Sequence, residues 1–222
     1  MGKTRSHRNG GLLLPGRDHR YCGGRLWTLN AAPVRPRIPA TLIKLVPIAS
    51  VSTSDIDALL DLAFGPGRRQ RTAYRLRDAA EPIPELSFAA IEDGVLTGLI
   101  QCWPVQLTES NGDVTPLTLV GPVAVHPDRQ RDGIGRKLVE AALARADADD
   151  REPMMLIGDA IYYDRFFGFS ARHTRGWTLP GPVDRDRLLA RLRPGQTVPS
   201  HAALGPRYGP VPGLQKTART AQ

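Results

Sequence analysis

Apolar residues recur along this chain at two periods, and the change from one to the other separates its predicted elements. Residues 41–49 (TLIKLVPIA) have strand composition, with Pro47 marking an edge or a strand end. Ser52, Thr53, Ser54 and Asp55 then offer N-caps to a helix whose apolar stripe is Ile56, Leu59, Leu60 and Ala63, and Gly65-Pro66-Gly67 stops it. A second, arginine-rich helix is predicted over 69–79, closed by Pro82 and Pro84. Two apolar runs, 86–92 and 95–105, flank Asp93-Gly94, the strongest short hairpin signal, and should pair antiparallel. Asn111-Gly112 marks another turn before a strand over 116–125, which completes a meander.

Beyond that strand the period lengthens. Ile134, Leu138, Ala142 and Ala146 fall on one stripe of a helix that ends in the acidic run Asp147, Asp149 and Asp150. Residues 154–157 are wholly apolar, as in a strand buried on both faces, so strand, helix and strand make a parallel crossover unit. A short helix at 162–167 and strands near 174–179 and 187–192 complete the body. The punctuation and loss of period before residue 41 and after 195 divide the chain into a basic, disordered extension (1–40), a folded domain (41–195) and a loosely ordered tail (196–222).

Charge changes this picture less than its total suggests. The formal charge is +8, but Lys3, Arg5, Arg8, Arg17, Arg20, Arg25, Arg35 and Arg37 stand against Asp18 alone in the extension, leaving the body almost neutral. The distribution argues against nucleic acid as a partner of the body. No apolar run approaches the roughly 18–20 residues that span a bilayer, so no membrane partner is expected. Cys22 and Cys102 lie too far apart in sequence for a disulfide framework, and no metal-ligand spacing appears, which fits a reducing, cytoplasmic compartment and no metal.

The chemistry concentrates where the third long strand meets the longest helix. After Val123-Ala124-Val125 and a His126-Pro127 turn comes Gln130-Arg131-Asp132-Gly133-Ile134-Gly135-Arg136. Two glycines opening a helix let the backbone approach a ligand and turn successive N–H groups outward at the positive end of the helix dipole, a setting that binds phosphates. A P-loop is excluded because Lys137 is followed by Leu138, and a dinucleotide fingerprint because its third glycine is replaced by Leu138.

The remaining pattern, Gln-x-x-Gly-x-Gly after an apolar strand, resembles the GNAT superfamily of acyl-CoA-dependent N-acyltransferases. Within it the chain is similar to bacterial predicted N-acetyltransferases, through Leu156-Ile157-Gly158-Asp159-Ala160, residues 162–169 (YYDRFFGF) and Leu179-Pro180-Gly181-Pro182-Val183. The resemblance covers residues 41–195 and implies an α/β fold of α+β type: a mixed, mostly antiparallel central sheet with one splayed parallel strand pair, flanked by helices.

It also implies roles. Acetyl-CoA would be the acyl donor. Gln130, Arg131, Asp132, Gly133, Ile134, Gly135 and Arg136 would hold its pyrophosphate, and the main chain of Val123 and Val125 its pantetheine arm. Asp132 departs from the pattern, since an anion there opposes a phosphate unless it turns away. Tyr163, with Tyr162 as alternate, would protonate the departing thiolate, although Tyr163 stands five residues before Gly168 where the family tyrosine commonly stands four. The implied reaction is direct acetyl transfer to a primary amine, on a small molecule or peptide, in a ternary complex. A non-catalytic acyl-CoA-binding or interaction module is the alternative, and a homodimer is compatible with either. No general base is identifiable: Asp159 suits a helix cap, Glu85 a solvated strand start, and His126 a turn. Trp103 and Trp177 read as core or cleft-wall residues.

Overall fold

The computed structural model describes residues 42–207, so the expectations for the basic extension, for Cys22 and for residues 208–222 lie outside the described residues. The first strand, β1 (Lys44–Pro47), ends at its proline and takes the sheet edge. Ser52 caps α1 (Thr53–Phe64): its hydroxyl accepts from the Asp55 amide at 3.1 Å, a contact worth about 1 kcal/mol, and Gly65 at φ 81° ends the helix. β2 (Phe88–Glu92) and β3 (Val95–Thr108) pair antiparallel around Asp93 (φ 50°) and Gly94 (φ 79°), the two positive φ angles a tight hairpin requires. β4 (Val114–Val125) closes the meander through ten registered pairs with β3, from Thr108↔Val114 to Gly98↔Val125.

Next come α3 (Ile134–Ala148), β5 (Met154–Ile157), α4 (Ala160–Phe167), β6 (Gly176–Thr178) and β7 (Leu188–Arg191). The strand order is β1-β2-β3-β4-β5-β7, in which only the β4–β5 pair is parallel, so the fold is the expected α/β arrangement with helices against the sheet. Alternation along β2, β3 and β4 sorts side chains between its faces. Ala89, Leu99 and Ala124 pack with Leu59 and Leu60 of α1, whereas Ala90 and Ile100 pack with Leu138 and Ala142 of α3. A third cluster, built on Leu76, Leu107, Leu117, Trp177 and Leu188, fills the other end of the sheet.

Two expectations are corrected. The arginine-rich helix over 69–79 does not form. A 3-10 turn (Pro66–Gln70) and a single helical turn, α2 (Thr72–Arg75), are separated by extended Arg71, and Ala79 adopts φ 51°. Tertiary hydrogen bonds dictate this path: Arg68 donates to Asp57 and Asp61 of α1, Thr72 to Pro182 O and Arg75 to Pro180 O. These contacts outweigh helix propensity, which is only a few tenths of a kcal/mol per residue.

The folded body also does not stop at 195, and the tail expected to be loosely ordered contributes β8 (His201–Pro206). β8 pairs antiparallel with residues 105–108 of β3, where β2 has already ended, and parallel with β6. Arg207 then donates to Glu152 at 2.7 Å, and Glu152 also accepts from Thr118 at 3.2 Å. The strand is only six residues long and holds a glycine and a proline, so its period is faint in sequence. Burial of Ala202 and Leu204 between existing strands decides it.

Replacing Leu204 by Ala should therefore destabilise the protein by about 2–4 kcal/mol in urea unfolding, the usual cost of truncating a buried leucine. A cost under about 0.5 kcal/mol, the size of an exposed-site change, would mean that β8 is not part of the core.

Candidate functional site

β4 and β5 are bonded through two rungs only, Thr118↔Met154 and Leu119↔Met155. Beyond Leu119, β4 meets no strand on that side among the described residues, so its edge from Val120 to Val125 is left facing a gap. On its other side β4 carries a bulge: Val120 pairs with Cys102 but Val123 with Ile100, so residues 121–122 stand opposite Gln101 alone. The parting of the strands makes a cleft of about 570 Å³, within the usual range for small-molecule sites.

At the Val125 end lies a groove lined by Val125, residues 129–131 and 133–136, Tyr162 and Phe166. Its floor is the turn into α3. The Arg129 amide bonds to His126 O at 2.8 Å and the Gln130 amide to Pro127 O at 3.3 Å, and helical bonding resumes with Lys137 N to Gly133 O at 3.0 Å. Between them, none of the six main-chain N–H groups of residues 131–136 donates to any acceptor among the described residues. Arg131 at φ 74° and Gly133 at φ 78° bend the chain so that these donors gather ahead of a fifteen-residue helix.

The acid at position 132 turns away from this role. Asp132 accepts from Arg129 Nε at 2.8 Å, and the same guanidinium grips the buried carboxylate of Glu92 at the end of β2. One arginine thus anchors the loop to the sheet and holds the Asp132 carboxylate. Arg136 lies over the Phe166 ring at 5.0 Å and bonds Glu140 at 2.7 Å, while Arg131 makes no ion pair among the described residues.

The two candidate tyrosines separate cleanly. Tyr162 is exposed beside the groove of α3, whereas Tyr163 lines the larger cleft together with Val123, Leu156 and Gly158. A Cβ at Gly158 would stand 2.4 Å from the Tyr163 ring, so glycine is what lets the ring lie across the end of β5. Burial, with Tyr162 and Asp159 adding to it, pushes the Tyr163 hydroxyl up to about 12. The hydroxyl is therefore protonated at any ordinary pH.

The cleft's two carboxylates are already engaged. Asp159 caps α4 by accepting from the Tyr162 amide at 2.7 Å, and Asp184 accepts from the Asp186 amide at 3.1 Å. Glu85 lies elsewhere, 3.6 Å from Arg151, and His126 accepts from the Asp128 amide at 3.3 Å as a turn residue. Trp177 is fully buried and donates to Pro199 O. No group of three or more His, Cys, Asp or Glu side chains is gathered as a metal site among the described residues.

Sequence reasoning missed the opposite wall, formed by Arg68, Arg71, Thr72, Tyr74 and Arg77. Arginine enrichment there was visible, but the break at Arg71 that turns these side chains onto the cleft was not. Arg68 is held cationic: burial opposes its charge, but hydrogen bonds to Asp61, Tyr74 and Asp57 prevail and raise it. Arg77 is only 9% exposed and pairs with no described carboxylate. Its guanidinium lies 4.3 Å from the Tyr74 ring centroid and 5.4 Å from that of Trp103. Burial lowers it to about 10, with Tyr74 opposing, so it too is charged at neutral pH.

Taken with this geometry, the acetyltransferase (GNAT) family profile, which matches residues 54–169, shows that the chain belongs to that family. A GNAT family acetyltransferase from Brucella melitensis, solved in complex with acetyl-CoA, is similar at 26% identity over 74% of this chain and 96% of its own, with a TM-score of 0.50. The GNAT family N-acetyltransferase YhbS of Escherichia coli, solved with CoA, shares the fold at 22% identity over 69% of this chain and 82% of its own, with a TM-score of 0.54. No curated protein matches the chain.

The two glycines of the turn differ in what they need. Gly133 sits at positive φ, so Gly133→Ala should cost about 1–2 kcal/mol in urea unfolding. Gly135 has ordinary φ and an added Cβ would meet Val125 at 3.5 Å, a normal contact, so Gly135→Ala should stay within about 0.5 kcal/mol of the parent. Equal costs at the two positions would contradict this account of the turn.

Proposed function

We propose that the protein transfers an acetyl group from acetyl-CoA directly to a primary amine, both substrates being bound together. The observation that carries this reading is the run of six unengaged main-chain donors at residues 131–136, opening on the groove that adjoins the cleft. A diphosphate offers such donors what the protein itself withholds from them. Arg131 and Arg136 line the groove, whereas Asp132 is held by Arg129 and does not line it. Along β4, Val125 lines the groove and Val123 the cleft, so a pantetheine arm passing from one to the other runs beside the unpaired strand edge. The acetyl-CoA complex of the Brucella relative supports the same donor.

The chemistry then needs three contributions from the chain. Main-chain N–H groups on the free edge of β4 face the thioester carbonyl, whose oxygen gains charge as the amine nitrogen attacks. The new C–N bond forms as the C–S bond breaks, and the amine gives up a proton to solvent, because both cleft carboxylates are occupied as caps. Tyr163 donates its hydroxyl proton to the departing sulfur and regains one from solvent before the next turnover. Burial that raises the tyrosine also raises a thiol in the same surroundings, as it does for the enclosed Cys102, pushed up to about 12.

Tyr163→Phe should lower kcat in a thiol-release assay by about 10²–10⁴-fold, the usual contribution of a positioned acid, while calorimetric affinity for CoA changes by less than about threefold. Tyr162→Phe should leave kcat within about threefold, since Tyr162 lies beside the other groove. With the Tyr163 hydroxyl at about 12, the kcat profile should show no falling limb up to about pH 10. A falling limb near pH 8–9 that Tyr163→Phe abolishes would refute the protonation assigned here, and absence of CoA binding would refute the function.

A further inference from the structure

Four arginines line the cleft, and three of them are spent on the protein itself. Arg68 donates to Asp57 and Asp61, Arg71 to Phe64 O at 3.2 Å and Arg187 to Gly158 O at 3.4 Å. Arg77, the second most buried of the four, has the Tyr74 hydroxyl as a hydrogen-bond partner and no carboxylate or carbonyl oxygen among the described residues. Its Nε is fully enclosed without an acceptor. The Nε1 of Trp103, whose ring Arg77 overlies, is enclosed without an acceptor as well. Of these two residues only Arg77 lines the cleft, so its guanidinium is the group there that an oxygen acceptor from outside the protein can meet.

Leaving such donors unmet is expensive, and burying an unpaired guanidinium more so. The wall is also built to hold Arg77 in place. Tyr74 lies under the guanidinium, Trp103 flanks it, and Arg68, tied to α1, fixes Tyr74 through its hydroxyl. An arginine held against two aromatic rings has its planar fork restrained, and a restrained fork suits recognition of a carboxylate or phosphate. Burial, with a smaller contribution from the positive charge of Arg68, lowers Arg77.

Resting on the acetyl-transfer reading above, we infer that the acceptor amine also carries an anionic group, a carboxylate or a phosphate, which Arg77 binds on the wall of the cleft away from the diphosphate groove. The amine end then reaches the gap between β4 and β5, where Tyr163 stands. Arg77 is a substrate-binding residue in this scheme and takes no part in bond making. An amine of the same length without the anion leaves Arg77 as unmet as it is in the free protein, so selectivity arises from the donor side of the pair.

The test uses the full chain and matched amines that differ only in the anion. Amino acids are compared with their amides, 4-aminobutyrate with butylamine, and phosphoethanolamine with ethanolamine, the first two pairs probing carboxylate and the third phosphate. Calorimetry is done first with CoA, then with each amine added to the CoA-loaded protein, alongside thiol release from acetyl-CoA. At least one anionic member should bind about tenfold to a hundredfold tighter than its neutral twin, the range of a charge-assisted hydrogen bond. Arg77→Gln should reduce that preference to within about threefold while leaving CoA affinity unchanged, and Arg77→Lys should restore part of it. Should neutral amines bind as well as anionic ones, or no anionic member bind at millimolar concentration, the inference is overturned. It is likewise overturned if Arg77→Gln keeps the preference. Loss of CoA binding in the parent protein is a different result, because it removes the acetyl-transfer reading itself. The parent's own preference decides the matter even if Arg77→Gln fails to fold.

Discussion

β4 and β5 hold each other through two rungs, and the separation that follows opens the cleft in which Tyr163 and the arginine wall meet. A parallel pair that stayed in register would bury the edge of β4 and leave no gap for a linear substrate. The bulge at residues 121–122 and the packing of α3 against one face and α1 against the other keep β4 in the sheet through its β3 side alone. The free edge is tolerable because it lines a cleft whose contents can meet its main-chain groups, as buried backbone polar groups require.

The turn into α3 shows how a binding surface is held ready without being filled. Six N–H groups lack partners among the described residues, three before the helix and three in its first turn, and Arg129 ties the loop carrying them to the sheet. Glu92 is buried at the end of β2, so the Arg129 ion pair is shielded from solvent more than a surface pair is. The same arginine absorbs Asp132, which turns an apparent departure from the family pattern into part of the scaffold.

Across the cleft the logic is reversed, since there the protein supplies cation and leaves the anion out. Arg68 bonds to Asp57 and Asp61 of α1 and to Tyr74 and acts as a brace, whereas Arg77 rests against aromatic rings with no carboxylate partner among the described residues. Uniform binding energy at that wall would only tighten the ground state, but fixing one end of the acceptor positions the other for attack, where orientation counts for most. The two walls thus divide the work between phosphate recognition by main-chain donors and acceptor recognition by a side chain.

The sequence by itself determined the elements with strong local codes: the Ser52 cap, the Asp93-Gly94 hairpin, the stripe of α3 and the paired glycines before it. Each is written in residues a few positions apart, whose conformational preferences act before any long-range contact forms. The family, and with it the order of the sheet, was legible for the same reason, because the glycine turn and the 162–169 segment are short and contiguous. The interrupted path of residues 66–79 and the strand β8 were decided by tertiary structure alone. Arg68, Thr72 and Arg75 follow partners up to 110 residues away, and β8 exists because β3 outruns β2 and leaves residues 105–108 open to it. Arg77 and Trp103 meet only in the folded molecule, since the need for an acceptor comes from burial, a quantity that no spacing along the chain contains.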